Sequence, residues 1–271
     1  MTTTEQRALP PLPRVFRTRA GVELKEFFRQ RESVVFTLMF PVILLLVFGA
    51  VLDYDLGSGV SFTQYFMAGV IAAGILGASL QNMAINIATE RSDGTLKGLA
   101  GTPMPKAAYY VGKVVQVFAV TVAIIAILLA IGSVFYGVDL PSGSDWITFV
   151  WVAGLGSAAC TLLGIAVSSL ARNGRSASAT VTPIALVLQF ISGVFFLFSQ
   201  VPTWLQTIAA LFPLKWMAQG LRSVFLPDAF AAQEPAGSWE LGRVALVLGI
   251  WCVVGLVLCV RTFRWQDKID R

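Results

Sequence analysis

Few side chains in this sequence could perform acid–base or metal chemistry. Its 271 residues include no histidine, the commonest general base and metal ligand of proteins. Its three cysteines, Cys160, Cys252 and Cys259, lie inside apolar runs, where a thiol usually packs as a small hydrophobic side chain. The remaining candidates are carboxylates near the ends of apolar segments: Asp53, Asp55, Asp139 and Asp145. An enzyme built on paired acids is therefore one hypothesis, and no metal site is predicted.

Neutral polar side chains recur at helical spacing in two apolar segments. The first stripe consists of Ser79, Asn82 and Asn86 and runs along one helical face toward Glu90. The second stripe surrounds Pro183 and consists of Ser178, Thr182, Gln189 and Ser192. Two interpretations are open: the stripes form hydrogen bonds between helices, or they line a pathway for an amphipathic substrate.

The segments that carry both stripes are predicted membrane spans. The chain is 56% apolar and 13% charged, about half the charged fraction of an average soluble domain. Six segments approach or exceed the roughly 20 apolar residues that a transmembrane helix needs: 34–52, 62–88, 114–136, 146–170, 177–198 and 244–260. The sequence predicts an all-α integral membrane protein, with a basic N-terminal segment over 1–33 and a six-span domain over 34–271.

The distribution of positive charge orients these spans. With both termini in the cytoplasm, 17 of the 20 Lys and Arg residues lie on the cytoplasmic side, and only Lys215, Arg222 and Arg243 lie outside. This orientation places the polar segment 90–106, between the second and third spans, in the cytoplasm.

Two pieces outside the spans are predicted to form short helices. Apolar positions near the N-terminus recur at helical spacing: Phe16, Ala20, Leu24, Phe27 and Phe28. Their basic neighbours make this segment typical of an interfacial helix that contacts membrane lipid. Between spans five and six, two amphipathic runs of roughly 10 to 12 residues, divided by Pro213, are too short to cross a membrane. They are either re-entrant helices that cap a pathway or a helical hairpin on the lipid surface.

The source of energy for any transport is not in this chain. The six segments contain no Asp, Glu, Lys or Arg, whereas ion-driven transporters normally keep ionisable groups in the membrane. The chain has no G-x-x-x-x-G-K-[ST] phosphate loop, and its nearest segment, GTPMPK at 101–106, lacks the second glycine. If ATP drives transport, a separate chain binds the nucleotide, and no cofactor is expected on this one.

The segment ERSDGTLKGLAGTPMPK at 90–106 is predicted to contain a short helix. Ser92 or Asp93 can cap its start, Gly101 suits its end, and Thr102–Pro103 can begin the next helix. Four charged residues would then be available to a partner: Glu90, Arg91, Asp93 and Lys97. The pattern fits a rigid lever moved by another protein, and it fits an ordinary loop equally well.

On these residues the sequence resembles the permease subunits of type-2 ABC exporters, especially antibiotic and multidrug exporters of the daunorubicin type. In that family the loop after the second span reads approximately E-R-x-x-G-T-L-x-x-L-x-x-T-P. This chain matches that pattern at Glu90, Arg91, Gly94, Thr95, Leu96, Leu99, Thr102 and Pro103. A second family pattern, N-P-[LF] followed by an arginine, is met by Pro213, Leu214 and Arg222.

The resemblance implies the membrane subunit of an exporter of drugs, antibiotics or other amphipathic compounds in the plasma membrane. It implies a dimer with a second copy or a related permease, and two ATPase subunits that bind ATP and Mg²⁺ on the cytoplasmic face. The segment 90–103 would be the coupling helix, and spans one, two and five would line the pathway. An external gate would include Trp204, Phe212, Pro213, Leu214 and Arg222. No nucleic-acid partner is expected.

Two positions depart from the family pattern. Lys97 stands where an acidic residue is common, and Phe212 replaces the usual asparagine. Export of a glycolipid or polysaccharide is an alternative within transport. A passive channel or scaffold is another, although the spans contain no ring of charges typical of a selectivity filter.

Overall fold

The computed structural model describes residues 11–52, 54–57, 59–171 and 173–262. We number their α-helices in chain order: α1 Leu12–Arg29, α2 Arg31–Val51, α3 Phe62–Ser92, α4 Thr95–Ala100, α5 Lys106–Tyr136, α6 Asp145–Ser168, α7 Gly174–Ile191, α8 Thr203–Ala209, α9 Pro213–Phe225 and α10 Leu241–Thr262. Short 3₁₀ turns cover Phe198–Gln200 and Asp228–Gln233. The all-α prediction is confirmed for the described part of the chain.

Five of these helices, α2, α3, α5, α6 and α10, are long and apolar enough to cross a membrane. They correspond to the first, second, third, fourth and sixth predicted spans, in agreement with a multi-pass membrane protein. Helices α3 and α5 are each 31 residues long, which exceeds the prediction. Hydropathy alone could not show this extension, because the added residues are polar. Helix α3 continues through Glu90 and Arg91 to Ser92, and α5 begins at Lys106.

The fifth predicted span corresponds to α7, which ends at Ile191 instead of residue 198. The chain turns there because Gly193 adopts a left-handed conformation, with a φ of 72°, that a helix cannot continue through. The 18 residues of α7 extend about 27 Å at 1.5 Å per residue. Its first half is rich in Ser and Thr, and α7 is not among the five apolar helices. A six-span topology therefore stays a prediction.

Helix α3 is the centre of the bundle. In the most apolar 18-residue stretch of α3, 72% of the residues are buried inside the protein. The buried share of the corresponding stretch is 28% in α2 and 17% in α10. Helix α9 packs across α3 and α6, and α10 packs along α6. The outer faces of α2 and α10 expose apolar side chains, including Val47 and Val260. Contact of this surface with water would be unfavourable by roughly 25 cal/mol per Å², so it suits a lipid environment.

The helices between α7 and α10 differ in burial. Every residue of α9 except Ser223 is buried, whereas Trp204 on α8 is 63% exposed. The burial of α9 corrects the hairpin interpretation for this helix, because a helix on a lipid surface would keep one face outside the protein. A re-entrant helix within the bundle fits the observed packing of α9.

Helix α1 packs along the first turns of α5. It buries Phe27, as the apolar stripe predicts, but Phe28 is 55% exposed. A carboxylate, Glu23, takes the second buried position of the helix. Exposed Arg and Lys side chains surround Phe28, so the free face of α1 keeps the mixed apolar and basic character of an interfacial helix.

Candidate transport pathway and coupling surface

A cleft of about 580 Å³ lies between α2, α3 and α7. We call it the pathway cleft. Much of its wall is apolar and includes Phe36, Phe40 and Leu186. Its volume falls within the roughly 300–1,000 Å³ of known small-molecule sites. These helices contain the first, second and fifth predicted spans, the three that the family resemblance assigned to a pathway.

Polar side chains from both predicted stripes line the pathway cleft: Asn82, Asn86, Ser178, Thr182 and Gln189. The Nδ2 amide of Asn86 donates to Oδ1 of Asn82 over 2.5 Å. Gln189 is 6% exposed, and its carboxamide oxygen has no hydrogen-bond partner among the described residues. A buried acceptor without a partner costs about 1–3 kcal/mol, so a donor on a bound molecule would relieve that cost.

The two remaining stripe residues do not line the pathway cleft. The hydroxyl of Ser79 donates to the carbonyl of Ile75 within α3, which is a packing role. Ser192 is buried just beyond the end of α7, and its hydroxyl has no partner in the described structure. Helical spacing predicts which residues share a face of α3 or α7. It does not predict how far along that face the cleft extends, so the prediction includes Ser79 and Ser192 with the residues that line it.

Helices α2 and α3 each contain one turn of π-helix beside the pathway cleft. These turns are Val35–Met39 and Gly77–Gln81. Phe36 and Gln81, one from each turn, line the cleft. Single π turns interrupt the regular hydrogen-bond ladder and are frequent at functional sites. The presence of a π turn in each of two helices beside the cleft is therefore consistent with a functional site.

Helix α4 lies within the predicted coupling segment and is largely exposed. Leu96 alone is buried, beside Met83 and Tyr109. Its first turn follows Gly94, which has a φ of 77°. This corrects the prediction that Ser92 or Asp93 caps α4. Helix α3 continues through Ser92, and the residue before α4 is Gly94, whose left-handed conformation favours glycine.

The exit from α4 also differs from the prediction. Helix α5 begins at Lys106 after an extended Pro105, so Thr102–Pro103 does not begin it. The hydroxyl of Thr102 donates to the carbonyl of Leu99, which closes the end of α4 instead. The exposed residues of the predicted coupling set are Asp93, Thr95, Lys97, Thr102 and Pro103, and Arg91, Gly94 and Leu99 are partly buried.

Glu90, the first residue of that motif, lies inside the protein and is only 6% exposed. Its carboxylate forms an ion pair with Lys113 and accepts a hydrogen bond from the Tyr109 hydroxyl at 2.7 Å. The ammonium of Lys113 also contacts Glu23 at 2.7 Å, and Glu23 pairs with Arg19. We call Arg19, Glu23, Glu90 and Lys113 the charge cluster. The prediction that Glu90 is available to a partner is corrected, because its charge is neutralised within the bundle.

The charge cluster joins α1, α3 and α5 just before α4. Burial raises the pKa of Glu23, and attraction from Lys113 and Arg19 opposes that rise. Sequence reasoning missed Glu23, Tyr109 and the burial of Lys113. One signal was present: Glu23 lies between Ala20 and Phe27 on the apolar stripe of α1, at spacings of three and four.

Arg91 also contacts the bundle. Its guanidinium donates to the carbonyls of Ser168 and Ala171, each over 2.5 Å. These carbonyls lie at and beyond the end of α6, where a helix leaves acceptors without partners. Arg91 therefore attaches the α4 end of α3 to the end of α6; it is only partly buried, and its contact with a partner stays a prediction.

Arg222 lies in a buried cluster at the opposite end of α3. It is 0% exposed, forms an ion pair with Glu234 and donates to the carbonyl of Ser192 at 3.3 Å. Its guanidinium carbon lies 4.7 Å from the centroid of the Tyr65 ring. The Tyr65 hydroxyl accepts from the backbone N–H of Phe198 over 3.0 Å. We call Arg222, Glu234 and Tyr65 the outer cluster. Their contacts connect α9 and α3 to the turn that follows α7.

The other external-gate candidates are spread over this end of the protein. Trp204 is exposed on α8, and Phe212 stacks on Trp251 with a centroid separation of 6.5 Å. Pro213 and Leu214 are buried at the start of α9. The structure thus brings Arg222, but not Trp204, into the interior of the bundle. A gating role for this set stays a prediction.

Three of the four candidate catalytic acids lie among the described residues. Asp55 accepts the backbone N–H of Gly57 at 2.8 Å in a turn. Asp145 occupies the first turn of α6, and Asp139 is exposed in the preceding loop. Asp53 lies outside the described residues. The geometry therefore adds nothing to the enzyme hypothesis.

Comparison with known proteins decides the family. A family model described as "ABC-2 family transporter protein" matches residues 51–261, well over half of the chain. The chain belongs to the ABC-2 transporter family. This ABC-2 protein is also 19% identical over 199 residues to the "Putative transport permease YvfS" of Bacillus subtilis (strain 168), a match that covers 73% of this chain and 80% of that protein. The resemblance to type-2 ABC permeases, inferred from the motif at 90–103, is confirmed.

Membership in the ABC-2 family defines the general role of the chain. It is a transport permease, a transmembrane subunit of a kind that is generally not catalytic itself. The family also implies an ATPase partner. The matched region contains all of α4 and the outer cluster. It also contains the wall of the pathway cleft that α3 and α7 form, but not the part in α2, which lies before residue 51.

Proposed function

We propose that this ABC-2 permease is the membrane subunit of an ATP-driven exporter of hydrophobic or amphipathic compounds. The observation that carries the proposal is the pathway cleft, a largely apolar space with amide and hydroxyl groups contributed by α3 and α7. Such a surface accommodates a molecule with a large apolar body and a few hydrogen-bonding groups. The unpaired oxygen of Gln189 supplies one acceptor for that molecule.

The connection between the pathway cleft and α4 supports a coupled mechanism. Helix α3 is one helix, with a single π turn, from the outer cluster past the pathway cleft to Ser92. The charge cluster fixes the α4 end of α3 to α1 and α5 through buried ion pairs. A force applied to α4 would therefore move three helices together, because breaking a buried ion pair costs several kcal/mol.

The finer assignments belong to the same proposal. The ATPase is a separate subunit present in two copies, it binds ATP and Mg²⁺, and it contacts the exposed face of α4. The permease acts as a dimer in the plasma membrane, with six spans and both termini in the cytoplasm. Helix α7 is the additional span: its exposed, partly polar face is suited to a position beside the pathway in an assembled dimer.

Reconstitution of the permease with its ATPase tests this function. We expect ATP-dependent movement of amphipathic fluorescent compounds across proteoliposome membranes, and Gln189→Leu is expected to reduce that movement several-fold. Gln200→Leu is the matched control, because Gln200 is exposed and does not line the pathway cleft. Transport of a lipid-linked sugar but of no free amphipathic compound would support the glycolipid alternative and contradict the proposal.

A further inference from the structure

A second cleft of about 570 Å³ continues the pathway cleft toward α4. We call it the acidic vestibule. It lies between α1, α2, α3 and α5, and five acidic and three basic residues line it. Glu32, Ser33, Ile85 and Asn86 line both spaces, so the two clefts share a boundary. A single elongated molecule can therefore contact both.

Three carboxylates converge in the acidic vestibule. Oxygen atoms of Glu23, Glu26 and Glu90 all lie within 4.8 Å of one another. Lys113 pairs with two of these carboxylates, and Arg19 pairs with Glu23. With Glu26 included, the group carries three negative and two positive charges. It can therefore accept one more positive charge, and Glu26 forms no ion pair among the described residues.

A second observation points to a ligand that donates hydrogen bonds. Gln116 on α5 lines the acidic vestibule and is only 3% exposed. Its carboxamide oxygen is buried and has no hydrogen-bond partner in the described part of the chain. An oxygen in this state needs a donor, and the neighbouring carboxylates favour a donor that is positively charged.

We propose that the acidic vestibule binds the ammonium group of an amphipathic organic cation whose apolar body lies in the pathway cleft. The inference rests on the proposed function and adds its substrate class. Glu26 supplies the opposite charge and Gln116 accepts an N–H hydrogen bond. A primary or secondary ammonium fits better than a metal ion, because the ammonium of Lys113 already occupies the shared side of Glu23 and Glu90.

Two probes of equal apolar size test the charge requirement. Binding of 4-phenylbutylamine and of 4-phenylbutanol to the permease–ATPase complex in lipid nanodiscs is measured by calorimetry, with empty nanodiscs as the reference for lipid partitioning. We expect the amine to bind about tenfold more tightly than the alcohol, the size expected for one charge-assisted hydrogen bond that is partly exposed to water.

Two substitutions assign the recognition to the vestibule. Glu26→Gln is expected to weaken amine binding about five- to tenfold and to leave alcohol binding unchanged. Gln116→Leu is expected to weaken amine binding severalfold. The matched control is Asp139→Asn, which removes the same charge from an exposed loop away from both clefts. Glu26 is itself exposed, so its substitution does not threaten folding.

Three results would overturn the inference: equal affinity for amine and alcohol, equal effects of Glu26→Gln and Asp139→Asn, or a heat of MgCl2 binding that Glu26→Gln abolishes. The last result would identify a metal site instead. Failure of the proposed function has a different signature, in which amine binding persists in calorimetry but no compound moves across proteoliposome membranes with ATP.

Discussion

Replacement of Glu90 with glutamine tests whether the charge cluster holds α1, α3 and α5 together. The substitution keeps the shape of the side chain and leaves an oxygen that can still accept the hydrogen bond from Tyr109. It removes one of two carboxylates that neutralise Lys113, whose side chain is 2% exposed. The buried cluster of two negative and two positive charges then has a net charge of plus one.

The expected loss of stability follows from this residual charge. Removing one partner of a buried ion pair generally costs about 3–5 kcal/mol. Lys113 keeps its contact with Glu23 at 2.7 Å, so we expect the lower end, about 3 kcal/mol. Adding Lys113→Met restores neutrality and leaves the pair of Arg19 with Glu23. The double variant should therefore lose about 2 kcal/mol less than the sum of the single variants.

The assay is denaturant unfolding of the purified permease in detergent, combined with ATP-driven transport by the reconstituted complex. The control is Glu240→Gln, which removes an ion pair with Arg243; the side chain of Arg243 is 69% exposed and that of Glu240 is 12% exposed. Because one partner is open to water, we expect that control to cost about 1 kcal/mol or less. Equal losses for Glu90→Gln and Glu240→Gln, or strict additivity in the double variant, would refute the reasoning about the buried cluster.

Three further predictions concern α4, the pathway cleft and the outer cluster. Gly94→Ala imposes a side chain at a φ of 77°, so it should lower stability by about 1–2 kcal/mol and reduce recovery of the ATPase complex. Gly98→Ala, whose new methyl group meets open space within α4, should have neither effect. Equal recovery of both complexes would argue against a fixed α4. Gln189→Leu removes a buried acceptor that lacks a partner, so unfolding should show unchanged or higher stability while transport falls; a large loss of stability would contradict this. Arg222→Met leaves Glu234 buried without its partner, and unfolding should show a loss of about 3–5 kcal/mol, so a neutral effect would exclude a stabilising outer cluster.

Helical periodicity was sufficient to place Asn82 and Asn86 on one face of α3, and Ser178 and Thr182 on one face of α7. Their meeting in a single cleft depends on the packing of α7 against α3, which no local pattern encodes. Ser192 was misplaced with the second stripe for a related reason. The turn at Gly193 ends the helix, so spacing no longer fixes the direction of the side chain.

The surroundings of Glu90 could not be inferred from its motif. Hydropathy ended the second span at Ala88, and a charged residue beyond a span is normally expected in water. Here Lys113, from another helix, pairs with both Glu90 and Glu23, and Arg19, from before the first span, supplies the second positive charge. Pairing between distant segments offsets the desolvation cost of a buried carboxylate. A single sequence does not show which distant residues form such pairs.

The fate of an amphipathic amine in inside-out membrane vesicles that contain the permease and its ATPase tests the account most directly. We expect accumulation that requires ATP hydrolysis and that falls in the Glu90→Gln variant, while the ATPase continues to hydrolyse ATP. Accumulation without ATP, or undiminished accumulation in the Glu90→Gln variant, would contradict the central claim that a force on α4 reaches the pathway cleft through the charge cluster.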